Sequence, residues 1–203
     1  MPAVKKTERE DIVNGALELL REKGYGAVNA RSVAEKIGCS TQPIYNSFRN
    51  MDELKAELSV RASREHIERV KNLLANNGGK HSRYSDYGIG FVRFAEKEKQ
   101  LFRWFYLEDG QIGQRRDDIL LPDIIRTITE EYGYDTETAS KLHRDMIVYS
   151  YGLALLANTG RLNMTDGELR NAFRMEFLAL THLYGAPPKN TVCEGEKTDG
   201  KNN

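Results

Sequence analysis

The stretch AEKIGCSTQPIYNSF, residues 34–48, interrupts an apolar helical pattern with a glycine and starts a second pattern two residues later. Helices this short bury little surface by themselves, so their purpose lies on the face that stays exposed. In the window from Ala30 to Arg49 the apolar residues Val33, Ile37, Cys39 and Ile44 take the fourth, eighth, tenth and fifteenth places, with the small Ala34 at the fifth. Gly38, at the ninth, supplies the positive φ of a tight turn. This is the spacing of a helix-turn-helix: two helices cross steeply and press closest at the small residue.

Ser40 is expected to cap the second helix, and Pro43 fits its first turn, where backbone donors lack intrahelical partners. With Ile44 and Phe48 turned inward, Thr41, Gln42, Tyr45 and Asn46 remain for the outer face. These are uncharged hydrogen-bonding groups suited to base edges and phosphates. Gln42 and Asn46 lie four apart, and either amide can pair with adenine N6 and N7; Tyr45 and Thr41 suit phosphate anchoring. Polar residues on a short helix also commonly face water, so the pattern needs its context.

Outward from the window the 3.6-residue period recurs from Thr7 to Tyr184, and no segment alternates over six residues between turn signals; the reading is all-α with about nine helices. The first runs from Thr7, read as its N-cap, to Gly24, with Ile12, Ala16, Leu19 and Leu20 on its inner stripe. Short helices follow at about 31–37 and 41–48. A long one, capped by Asn50 with Glu53, runs through Leu54, Leu58, Ile67, Val70 and Leu74 to the breaker NNGGK at 76–80. Later helices are expected at about 82–96, 98–107, 119–132, 136–159 and 166–184. EDGQIGQRRDD, 108–118, is expected to be a mobile loop. Three parts follow: a helix-turn-helix unit at 1–50, a larger helical unit at 51–185, and a polar tail at 186–203 expected to be disordered.

The order of an amphipathic helix, GYGAVN, the window, RNMDEL and a long helix resembles the N-terminal domain of the TetR/AcrR family of transcriptional regulators. The residues that carry the resemblance are IVNGALELLREKGYGAVNARSVAEKIGCSTQPIYNSFRNMDEL, 12–54, with Gly38, Tyr45, Phe48 and Leu54 in register. The resemblance implies a three-helix DNA-binding domain joined to a larger helical domain that binds a small effector and dimerises through its last two long helices. DNA contacts then fall to Arg31, Ser40, Thr41, Gln42, Pro43, Tyr45, Asn46, Arg49 and Lys55. The family usually opens its fourth helix with a lysine that meets a phosphate, where this chain has Met51. Backbone N–H groups at that helix start, Arg49 or Lys55 are the substitutes. The same departure favours an alternative, a TetR-like helical protein that binds a protein partner rather than DNA.

In the second half MIVYSYGLALLA, 146–157, is apolar almost all round, and the last helix is apolar well beyond one stripe. A second copy of the chain is the natural cover, with Tyr151, Leu155, Phe173, Phe177 and Leu180 as expected interface residues. Aromatic residues are dense there. Phe91, Phe94, Phe102, Trp104, Phe105, His143 and Tyr149 are the expected lining of an effector cavity, against the alternative of plain core.

The 203 residues, 39% hydrophobic and 30% charged, are those of a globular chain with room for a sizeable core. Thirty basic against thirty acidic residues exclude binding to polyanions by bulk charge, although residues 1–50 hold eight basic and six acidic side chains. With no leader-like or membrane-spanning stretch the expectation is a cytoplasmic protein, and Cys39 and Cys193 suggest no disulfide framework. Chemistry other than recognition finds no support. No Glu-x-x-His or His-Glu-x-x-His spacing is present, GGKHS (78–82) lacks the earlier glycine of a phosphate loop, and no Gly-x-Ser-x-Gly occurs. The expectation is therefore no enzyme, no metal and no cofactor. The partners expected are a double-stranded DNA operator, a small-molecule effector and a second copy of the chain in a homodimer.

Overall fold

The computed structural model describes residues 7–75, 79, 81–108, 110–187 and 189, apart from the side chains of 110–118. Those residues form nine α-helices and no strand: α1 (Arg9–Lys23), α2 (Ala30–Ile37), α3 (Gln42–Ser47), α4 (Met51–Ala75), α5 (Arg83–Lys97), α6 (Lys99–Arg103), α7 (Gly110–Tyr132), α8 (Thr136–Asn158) and α9 (Asp166–Tyr184). The breaker at 76–80, apart from Gly79, and the tail at 186–203, apart from residues 186, 187 and 189, lie outside the described residues.

Local signals fix most helix ends. Asn29 caps α2 by accepting the Ser32 N–H at 3.0 Å, and Gly38 ends it in the left-handed region at φ 71°. Asn50 caps α4 by accepting the Glu53 N–H at 2.9 Å. Two expected caps are corrected. α1 is capped one residue later, at Glu8, whose N–H donates to Asp11 at 3.0 Å. α3 is preceded by Thr41 with no side-chain cap, so Ser40 stands one place too early to reach the helix start.

Ile12, Ala16, Leu19 and Leu20 of α1, Val33 and Ala34 of α2, Ile44 and Phe48 around α3 and Leu54 and Leu58 of α4 are all buried. The first three helices thus close over one small core and lean on the first half of α4. That core is continuous with a larger one in which α5 packs chiefly on α8, and also on α4 and α9.

Two expected elements differ. The predicted helix at 98–107 is a short α6 followed by a π-helical turn, Trp104–Glu108. The wider turn seats three successive rings, Trp104, Phe105 and Tyr106, against different neighbours. The predicted loop at 108–118 is helical from Gly110, inside α7, which also accommodates Pro122. Gln111, Gln114, Arg115 and Arg116 are good helix formers, and the buried stripe Leu120, Ile124 and Ile128 nucleates a helix that extends back over two glycines.

Gly15 of α1 lies against Ile37 of α2. A Cβ there would stand 2.2 Å from Cγ2 of Ile37, a β-branched side chain with little freedom to turn aside. Gly15→Ala should therefore lower stability by up to about 2 kcal/mol, overpacking outweighing the gain in helix propensity. The measurement is a urea titration, in which a fallen midpoint with unchanged slope is expected and a raised midpoint would show that Ile37 yields.

Candidate nucleic-acid interface and ligand cleft

α3 divides cleanly into two faces. Ile44 is 1% and Phe48 2% exposed, whereas Tyr45 is 56% exposed and Thr41, Gln42 and Asn46 are exposed beside it. Pro43 is half-buried; Ser40, Arg31 and Arg49 are exposed. The four polar side chains singled out from the sequence therefore share one solvent-facing surface. Lys55 is half-buried on α4, its ammonium 4.9 Å from the centre of the Tyr25 ring. Met51 is half-buried against the core at the start of α4.

What holds α3 in place was not legible from its own sequence. The Arg9 guanidinium, from the first turn of α1, lies 3.9 Å over the Phe48 ring and donates to the Ser47 carbonyl at the end of α3. It also pairs with Glu53 at 3.1 Å and Glu57 at 2.5 Å on α4. One side chain thereby ties three helices together. Glu53 in turn accepts the Arg49 backbone N–H at 2.9 Å and its Nε at 3.1 Å, so Arg49 is tethered beside the exposed face. The contacts are long-range, 38 to 48 residues apart, and no local pattern signals them.

The Glu53 carboxyl is pulled down to about 2, first by the Arg49 N–H, then by the Arg49 and Arg9 guanidinium groups. Its folded pKa lies below the unfolded one. The stabilisation is therefore complete above about pH 4.5 and is lost as pH falls toward 2. Wild type should lose stability faster than Glu53→Gln across that window in urea titrations; parallel acid limbs would show that Glu53 is not so held.

In the larger unit, Phe102, Trp104 and Phe105 are at most 1% exposed, with Phe91 and Phe94 nearly as buried. Their rings lie 5.2–6.3 Å apart in the pairs Phe91–Phe102, Phe94–Phe105 and Trp104–Phe105, within the core. Tyr149 lies half-buried, 6.0 Å from Phe173. Of the seven side chains expected to line a cavity, His143 lines a cleft of about 250 Å³ between α5, α7 and α8. Its other walls are Tyr87, Leu121, Ile124, Ser140, Arg144 and Ile147. His143 is buried, its Nδ1 3.0 Å from the Tyr84 hydroxyl, and burial pulls its pKa down to about 4, so the ring is neutral at pH 7. Burial likewise keeps the Tyr84 phenol protonated.

The two units meet on aromatic surface. Trp104 stacks on Tyr25, in the 3-10 turn after α1, with centroids 4.7 Å apart and planes 14° from parallel. Two residues on, the Tyr106 hydroxyl lies 2.8 Å from Nε2 of His66 on α4, and its ring 5.7 Å from Tyr151 on α8. Arg21 of α1 adds ion pairs to Glu65 at 3.0 Å and Glu98 at 3.5 Å. The π-turn therefore touches the small unit, α4 and α8 at once.

On α8 and α9 the apolar residues split between two surfaces. Phe173 and Phe177 turn into the protomer's own core, while Tyr151 and Leu180 are half-buried. Outside stand Val148, Leu155, Leu156, Met175 and Leu183, with Gly152 and Ala179 exposed among them. Among the described residues no cluster of three or more His, Cys, Asp or Glu side chains could hold a metal, and no helix is long and apolar enough to cross a membrane.

Residues 12–58 match the family described as bacterial regulatory proteins, tetR family. No curated protein matches the chain. Among solved structures, a TetR-like transcriptional regulator from Rhodococcus sp. RHA1 superposes with TM-score 0.62 at 15% identity, over 87% of this chain and 95% of that one. A TetR family transcription regulator from Marinobacter aquaeolei VT8 does so with TM-score 0.57 at 15% identity, over 84% and 94%. At such identity the likeness beyond residue 58 is one of fold. Residues 12–58 are thus a domain of the tetR family of bacterial regulatory proteins, and the helices beyond them share the fold of TetR-like regulators.

Proposed function

We propose that the chain binds a pseudo-palindromic operator as a homodimer and represses transcription until a small effector releases it. The observation that carries this reading is the two-faced α3, with Ile44 and Phe48 buried and Thr41, Gln42, Tyr45 and Asn46 exposed together. Gln42 and Asn46 read base edges, Thr41 and Tyr45 anchor phosphates with Ser40 and the Pro43 turn, and Arg31, Arg49 and Lys55 supply the positive charge. Residues 1–50 form the reading head and 51–185 the effector and dimer body, with α4 belonging to both.

Dimerisation rests on the exposed stripes of α8 and α9. Val148, Gly152 and Leu155 are spaced four and three apart on α8, and Met175, Ala179 and Leu183 four apart on α9. Small residues within an apolar stripe let a partner helix approach closely, and two such helices from each chain make a four-helix seam. Two reading heads then enter successive major grooves, about 34–36 Å apart. An effector that prefers a different head spacing lowers operator affinity, and the stacked Tyr25–Trp104 contact is the route from body to head.

Selection of the protein against random duplex DNA should enrich a palindrome, with affinity falling as salt rises. Gln42→Ala and Tyr45→Ala should each weaken operator binding by about tenfold or more without altering the dimer. No enrichment from a folded dimer would instead favour a head that binds a protein partner, the reading to which Met51 points. Leu155→Glu combined with Met175→Glu should convert the dimer to monomer by sedimentation; an unchanged dimer would place the seam elsewhere.

A further inference from the structure

We propose that the cleft between α5, α7 and α8 is the effector site and takes a small apolar carboxylate, of the size of benzoate or hexanoate. The proposal rests on the effector-responsive reading above and names the chemistry of its ligand. At about 250 Å³ the cleft lies below the roughly 300–1,000 Å³ of drug-sized ligand pockets, so its occupant has on the order of ten non-hydrogen atoms. Leu121, Ile124, Ile147 and the Tyr87 ring give it apolar walls, which call for an alkyl or aryl body.

Three polar side chains line the rest, and they favour an acceptor. Arg144 is the only charged residue in the lining. Its Nε pairs with Asp145 at 3.2 Å and its guanidinium also meets the Tyr184 hydroxyl; the planar fork suits a carboxylate better than any neutral group. His143 adds a neutral imidazole. Its Nδ1 lies 3.0 Å from the Tyr84 hydroxyl, which leaves Nε2 as the ring's other hydrogen-bonding atom. In the tautomer in which the Tyr84 phenol donates to Nδ1, the ring carries its proton on Nε2 and offers it to the same acceptor. The Ser140 hydroxyl hydrogen is committed to the Thr136 carbonyl at 2.6 Å, so Ser140 adds no donor. A cationic ligand would meet Arg144 with no carboxylate in the lining to offset it.

The position suits regulation. α8, which carries the proposed dimer seam, forms one wall, and α7, which packs on α4, forms another. A ligand seated between them changes how the seam is set against the helix that supports the reading head.

The test is calorimetric titration of the full chain with benzoate and hexanoate, and with benzamide and hexanamide as neutral isosteres. Arg144→Gln removes the charge at an exposed position, and Leu121→Trp, at a 42% exposed wall, fills the cleft. The expected result is that both acids bind, that the amides bind about tenfold or more weakly, that Arg144→Gln abolishes this preference, and that Leu121→Trp abolishes binding. Equal binding of acids and amides, no binding of any of the four, or acid binding that Leu121→Trp leaves intact would overturn the proposal. Operator binding is measured in parallel, without and with the acids. Operator binding that the acids leave unchanged overturns the effector assignment alone; absence of operator binding without any acid overturns the DNA reading, independently of the titration.

Discussion

The helix that offers the exposed polar face is six residues long, too short to persist on its own hydrogen bonds. The placing of that face therefore depends on how α3 is held from outside. Ile44 and Phe48 bury its inner face, and Arg9 covers the Phe48 ring while donating to the Ser47 carbonyl that the helix end leaves open. Because the same guanidinium holds Glu53 and Glu57, α3 is fixed relative to α4, and α4 runs on into the larger unit. A shift of α4 thus carries α3 and its exposed face with it.

The second constraint is the contact between the units. Trp104 stacked on Tyr25 joins the turn after α1 to a π-turn whose next residues press on α4 and α8. The indole N–H of Trp104 is buried without a hydrogen-bond partner among the described residues, so the stacked arrangement leaves one polar group unsatisfied. An element that touches the N-terminal unit, α4 and α8, and that is imperfectly satisfied where it stands, is the kind of part whose rearrangement changes several contacts together.

The helix-turn-helix was legible because its signals are local: a glycine at the left-handed turn, a small residue at the crossing, and apolar residues at fixed places. The outer face of α3 followed from periodicity alone. Arg9 did not, because nothing near it in the chain marks a residue that will lie over a ring 39 positions away. The aromatic residues of the larger unit show the same limit. Ring content marks burial but not whether rings enclose space or fill it, and Phe102, Trp104 and Phe105 fill it. The cleft instead falls where side chains of moderate size, Leu121, Ile124 and Ile147, meet around His143. Periodicity likewise found apolar excess on α9, but the largest side chains, Phe173 and Phe177, go to the inner surface and leave Met175 and Leu183 outside.

Zero net charge shapes how such a protein can hold DNA. Several of its cations are already engaged within the fold: Arg9 by Glu53 and Glu57, Lys36 by Glu22 at 2.6 Å, Arg21 by Glu65 and Glu98. Glu53 shares Arg49 as well, so even the cation nearest the start of α4 approaches a phosphate beside a carboxylate. What α3 itself presents is neutral. Long-range attraction is therefore weak, and in the proposed reading discrimination would fall to short-range hydrogen bonds from Thr41, Gln42, Tyr45 and Asn46, which act only when the backbone is seated correctly in the groove. A surface of this kind gains little from non-specific contact, so in the operator reading proposed above its affinity would depend closely on how two copies of the chain are spaced.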